Sequence, residues 1–347
     1  MAESDSSAGT VNIPALRTWM HEARPDGLAG PLTARLIAGG RSNPTYEVSD
    51  GTHHWILRRP PYGEVLKSAH DMSREARVMG ALAGSAVPVP HVVGLCRDPA
   101  VLGAEFYVMD KLVGRTLRTA EDTRSLTPDQ RGRLTDTMIR TLVALHEIDP
   151  ADVGLEDWGR PQGYLERQLN RWERQWHAIK TSERPRVDEV IGMLRRSMPE
   201  TTLPGIVHGD YKIDNLLVAH EDPTQILGVL DWEMSTLGDT LADLGMLISF
   251  WDEVGTFHNP ITAGATALEG FPTANEVVRK YADLRNISIH SLDWYIIFAD
   301  LKLAVILEQI HARHLAGTTV GDWYDDIGGM VAPILDRAHD RAFRSGL

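Results

Sequence analysis

Ile206-Val207-His208-Gly209-Asp210-Tyr211-Lys212-Ile213-Asp214-Asn215, followed by Leu230-Asp231-Trp232-Glu233, is the part of this chain whose reading decides the fold. Ile206 to His208 has the length and composition of a short strand, and it delivers Asp210 into a loop. Asn215 stands at the far end of that loop, and Leu216-Leu217-Val218 carries the chain away as a second strand. Ala219 to Gln225 is a polar turn containing Pro223, after which Ile226 to Leu230 returns antiparallel and ends at Asp231, next to Asn215. A carboxylate in a loop can reach a substrate hydroxyl. An amide oxygen is a neutral, hard ligand suited to Mg²⁺, and a second carboxylate on a neighbouring strand end completes a pair of oxygen donors. Such a set holds Mg²⁺ and a nucleoside triphosphate beside an acceptor hydroxyl. It points to phosphoryl transfer, where positioning and charge neutralisation supply most of the catalysis. The bland reading is a capped hairpin with surface carboxylates. A hydrolytic metal site on His208 and Asp210 is a further alternative, but further clustered histidines are lacking.

Composition bounds the class. The chain has 347 residues, 43% hydrophobic and 24% charged, enough for one large core or two lobes. A net charge of -13, from 35 basic and 48 acidic residues, argues against nonspecific binding to nucleic acid or an anionic membrane. Cys96, the single cysteine, excludes an internal disulfide and a cysteine-cluster metal site, and fits a reducing cytoplasm. Met1 to Thr10 is small and polar, unlike a signal peptide, and is expected to be a disordered tail. Trp294 to Ile310 is the longest apolar stretch, broken by Asp300, Lys302 and Glu308; it reads as a buried amphipathic helix.

Texture along the chain predicts two lobes. Val11 to His21 reads as a helix, Ala34 to Ile37, Thr45 to Val48 and His54 to Arg58 as strands, with Asp50-Gly51 marking a hairpin. A helix over His70 to Leu82 and strands over Val92 to Leu95 and Glu105 to Met109 complete a five-stranded antiparallel sheet. Thr127-Pro128-Asp129-Gln130 is a helix start: a Thr cap, Pro in the first turn and Gln three residues after the cap. Further helices are expected from Tyr164 to about Lys180 and from Arg186 to Met198. The fold class is α+β. The domains are a tail over 1–10, a nucleotide-binding lobe over 11–110 with a small antiparallel sheet and one main helix, and a larger helical lobe over 111–347.

Several segments together resemble the aminoglycoside phosphotransferase and choline kinase family of the protein-kinase-like fold. They are Gly39-Gly40-Arg41-Ser42-Asn43-Pro44-Thr45-Tyr46, Trp55 to Pro61, Arg74-Glu75, Tyr107 to Asp110, His208 to Asn215, Leu230 to Glu233 and Leu237-Gly238-Asp239 to Asp243-Leu244-Gly245. Within the family the likeness is to the kinase-like domains associated with acyl-CoA dehydrogenases. The resemblance implies a bilobal fold, ATP as phosphoryl donor with GTP open, and Mg²⁺. It implies Asp210 as catalytic base or orienter of the acceptor hydroxyl, and Asn215 and Asp231 as Mg²⁺ ligands. Gly40, Ser42 and Asn43 belong to the implied phosphate-covering turn. Arg58 stands where protein kinases carry Lys, with Glu75 as its implied ion-pair partner. Met109 is expected beside the adenine ring, with backbone groups of Asp110 and Leu112 on the base edge. His208 is implied to pin the loop backbone and Asp243 to brace it, the alternative for Asp243 being a helix N-terminal acid. Glu233 would share the side of Asp231 if the strand continues.

The acceptor side is less legible. Tyr164, Trp172 and Trp176 would form an aromatic wall or simply pack a helix, and Trp251, Asp252 and Glu253 follow an apolar helix. Asp322, Asp325 and Asp326 cluster, but Arg313, Arg337, Arg341 and Arg344 are interspersed, which argues against an aminoglycoside. The resemblance points instead to a hydroxylated acyl chain or acyl-CoA. The rival reading from another class is a nucleotide-binding regulatory module without catalysis.

Overall fold

His54–Arg58, the strand that ends in paired arginines, lies in the middle of a five-stranded sheet. The computed structural model describes residues 11–37, 43–61, 71–201, 203–255, 259, 261–317 and 326–347. It divides into two compact units, Met1–Gly114 with Leu227–Glu233, and Arg115–Ile226 with Met234–Leu347.

The first unit contains α1 (Ile13–Ala23), β1 (Thr33–Leu36), β2 (Thr45–Ser49), β3 (His54–Arg58), α2 (Met72–Leu82), β4 (Val92–Cys96), α3 (Pro99–Leu102) and β5 (Phe106–Asp110). The strands run antiparallel in the order β1-β2-β3-β5-β4. Alternation decides which face is buried. Tyr46 and Val48 of β2, and Trp55 and Leu57 of β3, point into one core with Phe106 and Val108. Leu16 and Met20 of α1 pack there too, and Trp19 meets Phe106 edge-on at 4.9 Å. Each such side chain contributes about 1.5–3 kcal/mol by leaving water. Asp50 shapes the β2–β3 turn by accepting the N–H groups of Thr52 and His53, while Gly51 takes a φ of 90°. The helix α2 begins at Met72, two residues later than the sequence suggests, and is capped by Asp71, whose side chain accepts from Arg74 N.

The second unit contains β6 (Arg115–Thr116), α4 (Ala120–Arg124), α5 (Pro128–Glu147), α6 (Tyr164–Ile179), α7 (Pro185–Arg196), β7 (Pro204–Val207) and β8 (Leu216–Val218). The strand β9 (Ile226–Val229) follows in the chain but from Leu227 on belongs to the first unit; β10 (Thr236–Asp239), α8 (Leu241–Ser249), α9 (Ala274–Arg285), α10 (Leu292–Leu315) and α11 (Ile327–Ser345) complete the second. The α5 start is as expected: the Thr127 hydroxyl accepts from Gln130 N, and the Gln130 side chain accepts from Thr127 N. The strand β7 pairs antiparallel with β10, Val207 opposite Thr236.

Around α10 the sequence expectation needs correction. This helix is buried on nearly every side from Trp294 to Glu308, so it is not amphipathic. Its charged residues mark internal partners rather than a wet face. Asp300 accepts from Ser249 and Arg337, and Glu308 from the Thr181 N–H and hydroxyl. The Lys302 ammonium donates to the Gly209 carbonyl. Among the described residues, no helix is long and apolar enough to cross a membrane.

Removing the α5 cap by Thr127→Ala should lower the unfolding free energy by about 1 kcal/mol. A shift of the urea midpoint reads this; an unchanged midpoint would mean the cap is not holding the helix start.

Candidate active site

The loop after β7 is fixed by a single buried carboxylate. Asp243, in the first turn of α8, accepts the His208 N–H at 2.6 Å on Oδ2 and the Gly209 N–H at 2.7 Å on Oδ1. Both readings of Asp243 therefore hold in geometry: it is a helix N-terminal acid, and it is bonded to the loop. Oδ2 also faces His146 Nε2 at 3.2 Å, and His146 Nδ1 lies 2.7 Å from the Tyr281 hydroxyl. Arg285 donates to that hydroxyl, so the tyrosine proton is directed at Nδ1 and the imidazole proton at Asp243. Burial pushes the His146 imidazolium down despite Asp243, which keeps the ring neutral. Burial pushes the Asp243 carboxyl up, but the bonds from His146 and Gly209 outweigh it and hold it below the usual range.

Gly209 turns the chain with a φ of 85°, and a Cβ there would stand 2.7 Å from the Met234 carbonyl oxygen. Only glycine fits. The turn releases Asp210, whose N–H donates to His208 Nδ1 at 3.1 Å; the histidine does pin the loop backbone. Asn215 Nδ2 donates to the Asp210 carbonyl oxygen at 2.8 Å and to Asp210 Oδ2 at 2.9 Å. That orientation leaves the Asn215 amide oxygen for another partner. Lys212 also donates to Oδ2. Among the described residues Oδ1 of Asp210 takes no partner, and the carboxylate keeps 21% exposure. Burial alone would push this carboxyl up; the charges of Lys212 and Lys302 more than cancel that and hold it low.

In the first unit, Arg58 and Glu75 form the expected ion pair at 2.7 Å. Tyr107 donates a second hydrogen bond to the same carboxylate oxygen at 2.8 Å. Burial pushes the Glu75 carboxyl up, with Arg58 and Tyr107 pulling against it. The other arm of the guanidinium lies 3.3 Å from Asp231 Oδ1 and 3.6 Å from Glu233 Oε2. Asn43 Nδ2 also reaches Glu233 Oε2, at 3.5 Å. Asp231 has a φ of 68°, a left-handed conformation that side chains adopt at a cost. The strand does not continue past it. Trp232–Met234 is a 3₁₀ turn, pinned by Trp232 Nε1 on the Val229 carbonyl, so Glu233 reaches Arg58 from a turn and not from a strand face.

Met109, Asp110 and Leu112 lie half-buried at the end of β5 and just beyond. The Asp110 N–H is taken by the His91 carbonyl. Gly39, Gly40, Arg41 and Ser42 lie outside the described residues, as do Asp322 and Asp325. The aromatic wall is not formed: Tyr164, Trp172 and Trp176 are buried, Tyr164 lying over Gly238. Asp252 is buried too, accepting from Asn259, Thr262 and Gly264, and Trp251 Nε1 donates to Pro272. Two site residues were missed by sequence reasoning, Lys212 and Lys302. Lys212 had a signal, a cation standing between Asp210 and Asp214 in sequence. Lys302 had another, a cation inside an apolar helical run.

A family model described as "Phosphotransferase enzyme family" matches residues 33–282. This chain belongs to the phosphotransferase enzyme family. A solved structure of a putative aminoglycoside phosphotransferase from Ralstonia eutropha has 32% sequence identity and a TM-score of 0.82, over 96% of this chain and 99% of that one. The aminoglycoside phosphotransferase APH(4)-Ia, solved with AMP-PNP and hygromycin B, is 15% identical with a TM-score of 0.60, over 96% of this chain and 98% of that one; this likeness shows the protein-kinase-like fold alone. Acyl-CoA dehydrogenase family member 11 of Gallus gallus is 33% identical over 323 residues, 90% of this chain and 41% of that protein. The chain spans about a third to two fifths of the length of such relatives. The resemblance read from the motifs is therefore correct at the level of family and fold. Among the described residues, no cluster of three or more His, Cys, Asp or Glu is arranged around a metal. Asn215 and Asp231 each carry a hard oxygen donor of the kind Mg²⁺ takes.

In this family member, Asp243→Asn should cost about 3–5 kcal/mol, because one amide oxygen cannot accept what two carboxylate oxygens do. The sign with pH follows. A carboxyl lowered on folding adds stability above its unfolded value, and that stability is lost as pH falls through the folded value. The wild type should therefore lose more stability than Asp243→Asn on acidification below about pH 4. Parallel acid titrations of the two melting temperatures would contradict this.

Proposed function

We propose that this chain is an ATP- and Mg²⁺-dependent kinase of a small-molecule hydroxyl. The observation that carries the reading is Asp210: both protein donors sit on Oδ2, and Oδ1 remains to receive a proton. In the proposed step the acceptor hydroxyl oxygen forms a bond to the γ-phosphorus. The bond to the bridging oxygen breaks, ADP leaves, and the hydroxyl proton passes to Asp210. A carboxyl held below its usual range is ionised at neutral pH and ready for that role. Asn215 and Asp231 are the oxygen donors assigned to Mg²⁺, which supplies charge neutralisation on the phosphates. Arg58, held by Glu75, is assigned to phosphate. Gly40, Ser42 and Asn43 are assigned to the covering turn, and Met109, Asp110 and Leu112 to the base. Nucleotide complexes of structural neighbours support a nucleotide donor, and since both AMP-PNP and GDP occur among them, GTP stays open.

For the acceptor we favour a hydroxylated acyl chain or acyl-CoA over an aminoglycoside. The relatives carrying the acyl-CoA dehydrogenase name support this. So does the charge near Asp210: Lys212 and Lys302 both act on it, and a polycationic aminoglycoside would meet like charge there.

Asp210→Asn should lower phosphoryl transfer by about 10²–10⁴-fold while nucleotide binding, read by calorimetry, is retained. Full activity in that variant would remove Asp210 from the chemistry. Asp231→Ala should weaken binding of the Mg²⁺-nucleotide and leave binding of the metal-free nucleotide intact. Equal losses in both forms would take Asp231 out of the metal site.

A further inference from the structure

The peptide unit joining Gly209 to Asp210 is gripped from both sides. Its N–H goes to His208 Nδ1, and its carbonyl oxygen takes the ammonium of Lys302 from the middle of α10. Lys302 is only 5% exposed. Its Nζ lies 5.7 Å from the centre of the Trp172 ring on α6, where Arg171 stacks from the neighbouring position at 5.4 Å. A lysine is an expensive way to fill a buried position, and an aliphatic side chain would pack there without the cost of burying a charge. The geometry gives the charge a use, since it holds the one peptide that aims the Asp210 side chain.

We propose that Lys302 is a positioning residue for phosphoryl transfer, clamping the Gly209–Asp210 peptide and setting buried positive charge beside the carboxylate. This rests on the kinase reading above and adds to it a residue from a helix remote in sequence. The groups that act on Lys302 are Asp210 and Asp243, which favour its charge, and Lys212 and Arg171, which oppose it. Burial is stronger than all of them and pushes the ammonium down to about 8. The unfolded chain therefore binds this proton more tightly between about pH 8 and 10.5, so the charge lowers folding stability at neutral pH. A positioning role and a role in the fold alone make different predictions.

Lys302→Met in the full chain separates the two. The expected result is a fall in kcat of about tenfold or more, with the KM for nucleotide moving less than about twofold. Amide hydrogen exchange should quicken in the 206–215 segment, and the melting temperature should stay level or rise. A kcat within about twofold of wild type would overturn the proposal. So would a failure to fold, or a lost kcat accompanied by a lower melting temperature, since each makes Lys302 a residue of the fold. Wild type that transfers no phosphoryl group would instead sink the kinase reading. The exchange measurement still tests the clamp in that case: unchanged exchange in 206–215 overturns it.

Discussion

The Asp243 carboxylate, buried beneath the loop after β7, is the interaction on which the rest of the candidate active-site segment depends. Three donors converge on it, two from the backbone of His208 and Gly209 and one from the His146 ring. Without a full negative charge there, two adjacent N–H groups would point into a dry interior, and each orphaned donor costs about 1–3 kcal/mol. Because they are satisfied, the loop can make its left-handed turn at Gly209 and project Asp210 from a fixed base. Tyr281 and Arg285 extend the support by deciding which nitrogen of His146 carries the proton.

A second constraint is the placing of buried charge. Each compact unit carries charged groups in its interior that an apolar core would not need. In the first unit Arg58 spends one arm on Glu75 and the other on Asp231 and Glu233. In the second, Lys302 reaches from α10 to the Gly209 carbonyl, and Lys212 to Asp210. Pairs of this kind are weak sources of stability, because desolvation offsets the attraction. Their value lies in fixing where a carboxylate or guanidinium stands, which is what the proposed phosphoryl transfer requires.

Much of this was legible because local chemistry and tertiary structure agree. His54–Arg58 alternates as a half-buried strand must, and Thr127 with Gln130 can hardly do anything but cap a helix. The pairing of Arg58 with Glu75 could be anticipated because a strand end and the next helix are brought together by the simplest connection. What could not be read depends on residues far apart in sequence. Lys302 stands 93 positions from Gly209, and nothing local to either names the other. Trp172 and Trp176 have the spacing of an aromatic stripe whether they face a ligand or a core; burial decides, and here they face the core. The placing of Glu233 hung on whether the strand continued past Asp231; the left-handed backbone there ends it, and Glu233 meets the same Arg58 guanidinium as Asp231 from a turn.

The central claim, that Asp210 receives the proton of a hydroxyl as phosphate is transferred to it, is tested most directly by ³¹P NMR. The wild-type chain would be incubated with ATP and Mg²⁺ over hydroxylated acyl compounds, amino alcohols, sugars and aminoglycosides. A new phosphomonoester resonance growing in step with ADP is the predicted result. Tight nucleotide binding with no phosphomonoester on any acceptor would contradict it and favour a silent nucleotide-binding module.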